Sequence, residues 1–328
     1  MHRRTLLAAL PVLAAPAIAR AQAAVMRLSH QYPPAHHIAK LLEAFAADVG
    51  KRSNGAVTVQ TFPAAQLAQP RDNFPGVARG AFEAAVDTNF TWGNTIPEMS
   101  APTIPFLFTE LDRIRKFPGS EAAGFLDQLS ERRGVKTIGW LFTTRSSIFT
   151  SGKAPLINPA DFKDVKIRGI NPLLDTGLRA AGAAPAATPA PEVTQALATG
   201  VLDAGLTDVS AAVSRRYYEV QKFGTVTPYF CVFTQVYVNP RWFQGLAAPQ
   251  RQAILDASGA AETEAMTLTE ATAAAAIGEL RQRGMTIHEQ TPAETAAWKA
   301  VMQKPVIEAF LRAAPEGGQR ALDLLAKL

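Results

Sequence analysis

The sequence has 328 residues, 48% hydrophobic and 19% charged, which is enough apolar material for a large core and too little charge for a disordered chain. A net charge of +5 suggests a nucleic-acid surface, but Arg3, Arg4 and Arg20 sit in a first segment without acids, and the rest holds 30 basic against 28 acidic residues, no footprint for DNA or RNA. The single cysteine, Cys231, excludes an internal disulfide and any multi-cysteine metal site and reads as a small core residue.

Residues 1–23 read as an export signal: a charged start, an apolar run from Leu6 to Ile18, and small residues at Ala21 and Ala23. The run is short and interrupted by Pro11 and Pro16, which disfavours a transmembrane helix. Arg3-Arg4-Thr5-Leu6-Leu7 also fits the twin-arginine pattern, so general secretory and twin-arginine export both stay open. A soluble mature protein starting at Ala24, outside the cytoplasm, is expected.

From there strands and helices alternate. Residues 24–30 read as a strand, 36–49 as a helix with Ile38, Leu41, Leu42, Phe45 and Val49 on one face, and 56–61 as a strand after Asn54-Gly55. A short helix at 74–79 and a strand at 81–88 follow. This alternation indicates an α/β lobe with a largely parallel sheet, in which ligands sit beyond the carboxyl ends of strands. Asp87, Thr88, Asn89 and Trp92 lie at such an end, where they serve a ligand or simply form a turn. Ile104, Phe106, Leu107 and Phe108 read as packing beneath a cleft. A strand at 135–143 is followed by Arg145. Val165-Lys166-Ile167-Arg168 alternates apolar and basic residues, as a half-buried strand does, and Gly169 and Asn171-Pro172 stop it. Arg168 is thereby delivered to a strand end, where its guanidinium can hold a carboxylate with two parallel hydrogen bonds. Asn171 lies where the turn can aim its amide at the same ligand. A helix closed by Gly182, a Pro-rich link and a helix at 191–199 lead to a strand at 201–206 that ends at Thr207 and Asp208. Strands are expected at 226–230 and 232–238, the second with Gln235 among apolar neighbours, which calls for a ligand or an interstrand partner. A long helix at 249–284, a strand at 285–289 and helices from Ala293 complete the chain.

The stretches PADFKDVKIRGINP and LRAAGAAPAATPAPEVTQALATGVLDAG, with TIPEMSAPTIPFLFTELDRIRKF and RRYYEVQKF, resemble the DctP-type solute-binding subunits of TRAP (tripartite ATP-independent periplasmic) transporters. The resemblance covers essentially the whole mature chain and is strongest at 158–203 and 215–223. It implies a two-lobe periplasmic solute-binding protein with a hinged cleft and a long helix spanning both lobes, lobe I at 24–143 plus 233–273 and lobe II at 144–232 plus 274–328. It implies a monomeric receptor that captures a small organic acid and delivers it to a TRAP-type membrane permease, without cofactor. It places carboxylate binding on Arg168 and puts Arg145 forward, although Arg145 is farther from Phe149 than the family pattern has it. With Asn171, Thr88, Asn89, Trp92, Thr207 and Gln235 these make the expected ligand shell. Glu192 stays out of it, because a Glu in a first helical turn is explained by the helix dipole. LDAGLTDVS departs from the family's polar run at this point, so no particular acid can be carried over.

No GxSxG, Walker, GxGxxG, HExxH or paired CxxC motif occurs. His30, His36 and His37 cluster near the first strand–helix turn and read as polar cleft-rim residues, not as metal ligands. Glu262 and Glu264 are two apart on a helix and cannot share acid/base work. A rival reading is an enzyme acting on a small carboxylic acid, with Asp208 as the titratable group beside Arg168. Another is a receptor that docks a signalling protein instead of a permease.

Overall fold

The computed structural model describes residues 23–328; the expected export signal, apart from Ala23, lies outside the described residues. β1 (Ala24–His30) buries Met26 and Leu28, and α1 (His37–Arg52) buries Ile38, Leu41, Leu42, Phe45 and Val49 along one face, the spacing of a helix lying on a sheet. Asn54 and Gly55, both at positive φ, turn the chain into β2 (Val57–Phe62). α2 (Pro70–Ala78) starts earlier than the sequence pattern suggests, because Pro70 fits the first turn, where an N–H is not needed. β3 (Ala84–Thr88) is buried throughout. Two 3-10 turns, Asn89–Asn94 and Pro97–Thr103, then α3 (Leu111–Arg115) and α4 (Glu121–Glu131), lead to β4 (Lys136–Thr144).

Arg145 and Ser146 carry the chain straight into β5 (Ser147–Ser151) and a second sheet. There follow β6 (Lys166–Gly169), α5 (Asp175–Ala180), β7 (Ala184–Ala187), α6 (Val193–Ala198), β8 (Ala204–Asp208), α7 (Val209–Ser214) and β9 (Phe223–Thr227). Pro228 follows β9, and β10 (Val232–Val238) returns to the first sheet. α8 (Pro240–Gly245), α9 (Ala248–Gln282), β11 (Thr286–Glu289), α10 (Pro292–Ala313) and α11 (Gly318–Ala326) complete the chain. β5 and β7 are not evident from the sequence. β5 is a short strand between two partners, and β7 carries Pro185, which a sheet tolerates because β7 is an edge strand.

The first sheet has the order β2-β1-β3-β10-β4 and the second β11-β9-β5-β8-β6-β7. Each is parallel except for one strand, β10 in the first and β5 in the second. These exceptions are the strands entered directly after the chain crosses between sheets. α9 has 35 residues, about 52 Å at 1.5 Å per residue. It packs on α1 and β4 toward one end and contacts α7 and β11 toward the other, so it runs along both lobes as expected.

The C-terminal region is divided between the cores, whereas the family resemblance implies 274–328 wholly in lobe II. Trp298 and Met302 of α10 pack with Phe149 and Phe162 of the second sheet's core. Val306 and Phe310, with Ala321 and Leu324 of α11, pack instead with Phe142 and Phe233 of the first. α10 is long enough to leave one core and enter the other, so chain order cannot assign it to a single lobe. Trp298 meets Phe149 and Phe162 edge-on at 4.8 Å and donates from Nε1 to the Ile157 carbonyl at 2.6 Å. Trp298→Ala is expected to lower unfolding stability by about 3–5 kcal/mol. Guanidinium denaturation measures this, and a loss below roughly 1 kcal/mol, the cost of a surface change, would contradict the packing role.

Candidate ligand-binding site

Five strand ends converge on one small cavity where the two lobes meet. Gln31 and Tyr32 follow β1, Thr88 ends β3, Thr143 and Thr144 end β4, Arg168 lies one residue from the end of β6, and Thr207 and Asp208 end β8. All are carboxyl ends, the side of an α/β sheet on which ligands collect. Phe90, Phe230 and Val232 add apolar wall.

β6 holds Arg168 rigidly. Its backbone pairs with β7, and its side chain donates from Nε to the Thr188 carbonyl at 3.2 Å and from Nη1 to the Leu206 carbonyl at 2.6 Å. The residue is only 5% exposed, and no carboxylate lies within ion-pair distance of it among the described residues. Asp175, behind the strand, is engaged elsewhere: its Oδ1 accepts from the Ile170 N–H at 2.7 Å, and burial pushes its pKa up to about 6. Two of the guanidinium's nitrogens are thus fixed by carbonyls, while the charge faces the cavity without a counterion.

The other expected ligand residues separate. Thr88 and Thr207 line the cavity with Arg168. Asn171 borders it indirectly: Nδ2 donates to the Phe90 carbonyl at 3.0 Å and Oδ1 accepts from the Leu174 N–H at 2.9 Å, so its amide ties the lobes together. Asn89 is used up inside the first lobe, donating to the Met99 carbonyl at 2.7 Å and Thr103 Oγ1 at 2.9 Å and accepting from the Phe233 N–H. Trp92 packs against Phe74 and Tyr237 and faces a separate small cavity beside Asp87. There Asp87 accepts from Tyr237 Oη at 2.6 Å, and burial pushes it up to about 7. Gln235 donates to Thr137 Oγ1 at 2.7 Å and Ser130 Oγ at 3.2 Å, which is the interstrand alternative. Arg145 is drawn away by Glu270 of α9, with Nε at 3.0 and 3.1 Å from the two carboxylate oxygens and Nη2 at 2.7 Å. It lines a different cavity, so a bidentate ion pair accounts for a residue expected on the ligand.

The histidines also differ from expectation, being buried and not at the rim. His36 stacks between Tyr32 and His37, with ring centroids at 4.6 and 4.5 Å. Burial, then the neighbouring His36 charge, lowers His30 to about 4 and His37 to about 3. Among the described residues no group of three or more His, Cys, Asp or Glu could hold a metal ion. Asp208 lines the cavity but is engaged at the start of α7: Oδ1 accepts from Ser210 Oγ at 2.5 Å and the Ala211 N–H at 2.7 Å, and lies 3.7 Å from His36 Nε2. Burial pulls its pKa up, but His36 and Ser210 outweigh that and hold it below the usual carboxylate range. Sequence reasoning missed Arg215, which also lines the cavity. Its one signal is the Arg215-Arg216 pair after α7, and only the register of that short helix decides which arginine turns inward.

Two lobes whose strand ends meet over a buried, uncompensated guanidinium define a solute-binding protein. Residues 28–313 match the family model for bacterial extracellular solute-binding proteins, family 7 (DctP), and the chain belongs to that family, the solute-binding subunits of TRAP transporters. The C4-dicarboxylate-binding periplasmic protein DctP of Rhodobacter capsulatus is 28% identical over 293 residues, 88% of this chain and 87% of that one. The 2,3-diketo-L-gulonate-binding periplasmic protein YiaO of Escherichia coli is 25% identical over 281 residues, 83% of each. A TRAP periplasmic solute-binding protein from Desulfovibrio salexigens, solved with bound orotic acid, matches with a TM-score of 0.87 at 26% identity, covering 92% of this chain and 97% of that one.

A carboxylate held below its ordinary value contributes stability above the unfolded value of about 4, and that contribution is lost as pH falls below it. Asn can also cap a helix, so Asp208→Asn isolates the charge. The variant is expected to be less stable than wild type at pH 7, with the gap narrowing steadily once the pH falls below about 4. Urea unfolding across that range tests this, and a gap that stays constant would contradict it.

Proposed function

We propose that this protein is a periplasmic receptor that captures a small carboxylate between its lobes and presents it to a TRAP-type membrane permease. The observation that carries the reading is Arg168, a permanently charged residue, buried and without a carboxylate partner, fixed at the wall of the cavity on which the strand ends of both lobes converge. An anion supplies the counter-charge, with two parallel hydrogen bonds and a gain that exceeds a surface pair's because water is excluded. Hydroxyls of Thr88 and Thr207 lie around the same space and can donate to the remaining oxygens.

Closure of the lobes is coupled to capture in this reading. Asn171 reaches the Phe90 carbonyl and Arg215 the Gln31 carbonyl, and both contacts join the lobes beside the cavity. A ligand that binds both sides favours the joined state, and a permease can read that state as loaded. Lobe I comprises the first sheet with α1 and most of α9, and lobe II the second sheet with α5–α7. The receptor acts as a monomer in the periplasm. No helix among the described residues is long and apolar enough to cross a membrane.

The enzyme alternative rests on Asp208, but a general acid or base works best with a pKa near the operating pH. Asp208 is held well below that, with Oδ1 engaged by Ser210 and the Ala211 N–H. Binding without turnover fits the site.

Thermal unfolding of the chain from Ala24 against monocarboxylates, dicarboxylates, keto acids and sugar acids is expected to find a stabilising acid. The gain is about 2.7 kcal/mol at a hundredfold excess over Kd. Arg168→Ala is expected to weaken that acid by about 2–5 kcal/mol, at least a thirtyfold rise in Kd. Equal shifts in wild type and variant would remove Arg168 from the role, and a panel without any stabilising acid would remove the carboxylate.

A further inference from the structure

Asp208 ends β8 at the wall of the cavity that Arg168 faces, and it is the one acidic residue there. Its two carboxylate oxygens have different surroundings. Oδ1 accepts from Ser210 Oγ at 2.5 Å and from the Ala211 N–H at 2.7 Å, and it lies 3.7 Å from His36 Nε2. Oδ2 takes no hydrogen bond among the described residues, and the side chain keeps 12% of its surface open. Burial raises the pKa of this carboxyl, but the contacts with His36 and Ser210 outweigh it, so the group is ionised at neutral pH. Arg168 and Arg215 are the two cations lining the cavity, and neither lies within ion-pair distance of Asp208.

A ligand that fills this space displaces water from Oδ2. A charged oxygen buried without a donor costs more than its hydrogen bond gains when made, so the occupant has to bring an O–H or N–H of its own. A second ligand carboxylate does the opposite: it brings only acceptors and a like charge into a space of low dielectric. Two arginines and one aspartate also leave a single positive charge among the lining residues, which one carboxylate neutralises. We infer that Asp208 is a specificity-determining residue, whose Oδ2 accepts from a hydroxyl or N–H on the ligand. The site then takes acids with one carboxylate and such a donor in preference to dicarboxylates and to acids without a donor. The hydrogen bonds from Ser210 and Ala211 fix the Asp208 carboxylate, so the acceptor is oriented before the ligand arrives. This rests on the carboxylate-receptor reading and adds the group that must accompany the carboxylate.

The experiment is calorimetric titration of the mature protein at neutral pH with pairs of acids that differ in the donor alone. The pairs are lactate against propionate, 3-hydroxybutyrate against butyrate, and N-acetylglycine against levulinate, in which a methylene replaces the N–H. Succinate is the dicarboxylate of the panel. In wild type at least one donor-bearing acid is expected to bind about tenfold or more tighter than its partner and than succinate, the effect of a hydrogen bond to a charged group. Asp208→Asn keeps an oxygen to cap α7 and can turn its amide nitrogen to the cavity, replacing an acceptor by a donor. In that variant the preference within the pair is expected to fall to about threefold or less, and succinate is expected to bind more tightly than it does to wild type. A gain of that kind cannot come from a damaged fold. The inference is overturned if wild type binds no donor-bearing acid better than its partner, a comparison that needs no folded variant. It is also overturned if succinate binds wild type most tightly of the panel, or if Asp208→Asn shifts both members of each pair alike. If Arg168→Gln still weakens the acids that bind, the carboxylate reading stands and only the role of Asp208 falls. If no acid binds, or Arg168→Gln changes nothing, both fall.

Discussion

A guanidinium inside a protein keeps its charge, and an uncompensated buried ion costs several kcal/mol. Arg168 is such a group: 5% exposed, held by the carbonyls of Thr188 and Leu206, and without a carboxylate. Carbonyl oxygens solvate the cation in part and fix its plane, but they do not neutralise it. The structure tolerates the residue because it sits near the end of β6, where the sheet opens onto the cavity. An anion that enters gains a partner already oriented and already stripped of most water, so little ordering has to happen on binding.

The topology makes this arrangement available twice over. Each sheet is parallel apart from the strand entered after a crossing, so the other strands of both direct their carboxyl ends toward the space between the lobes. Short crossings at Arg145-Ser146 and after Pro228 hold the sheets close, and α9 runs behind both. Residues on the strand-end turns then touch across the gap: Asn171 with Phe90, Arg215 with Gln31, and Asp208 near His36. Each contact lies beside the cavity, so whatever occupies it acts directly on the contacts that join the lobes. The pair of Arg145 and Glu270 has a different task, tying the first crossing to α9 from the far side.

Much of this was legible in the sequence, for identifiable reasons. β1, α1, β2, β4 and β6 stand out because their apolar pattern is local, and α9 because its stretch is rich in Ala and Glu, without a Pro or a turn cluster between Pro249 and Gly284. Arg168 stood out because a short alternating strand ends one residue after it. What stayed hidden depends on partners far away in the chain. Arg145 carries no mark that Glu270 will take it, and Gln235 carries none for Thr137. Asn89 reads as a polar turn residue, yet its amide is consumed by Met99, Thr103 and Phe233. β5 carries polar residues at three of its five positions although it is buried between two partners, and Pro185 argues against a strand until β7 is known to be an edge. Arg215 and Arg216 are indistinguishable until the register of α7 is fixed.

The central claim is that the charge of Arg168 is matched by a ligand carboxylate. A crystal structure of the mature protein with its tightest-binding acid tests this most directly. The expected result is a carboxylate in the plane of the Arg168 guanidinium, with two N···O distances of about 2.7–2.9 Å, the range of charge-assisted hydrogen bonds. A ligand that turns a neutral group to Arg168, or seats its carboxylate away from it, would contradict the account.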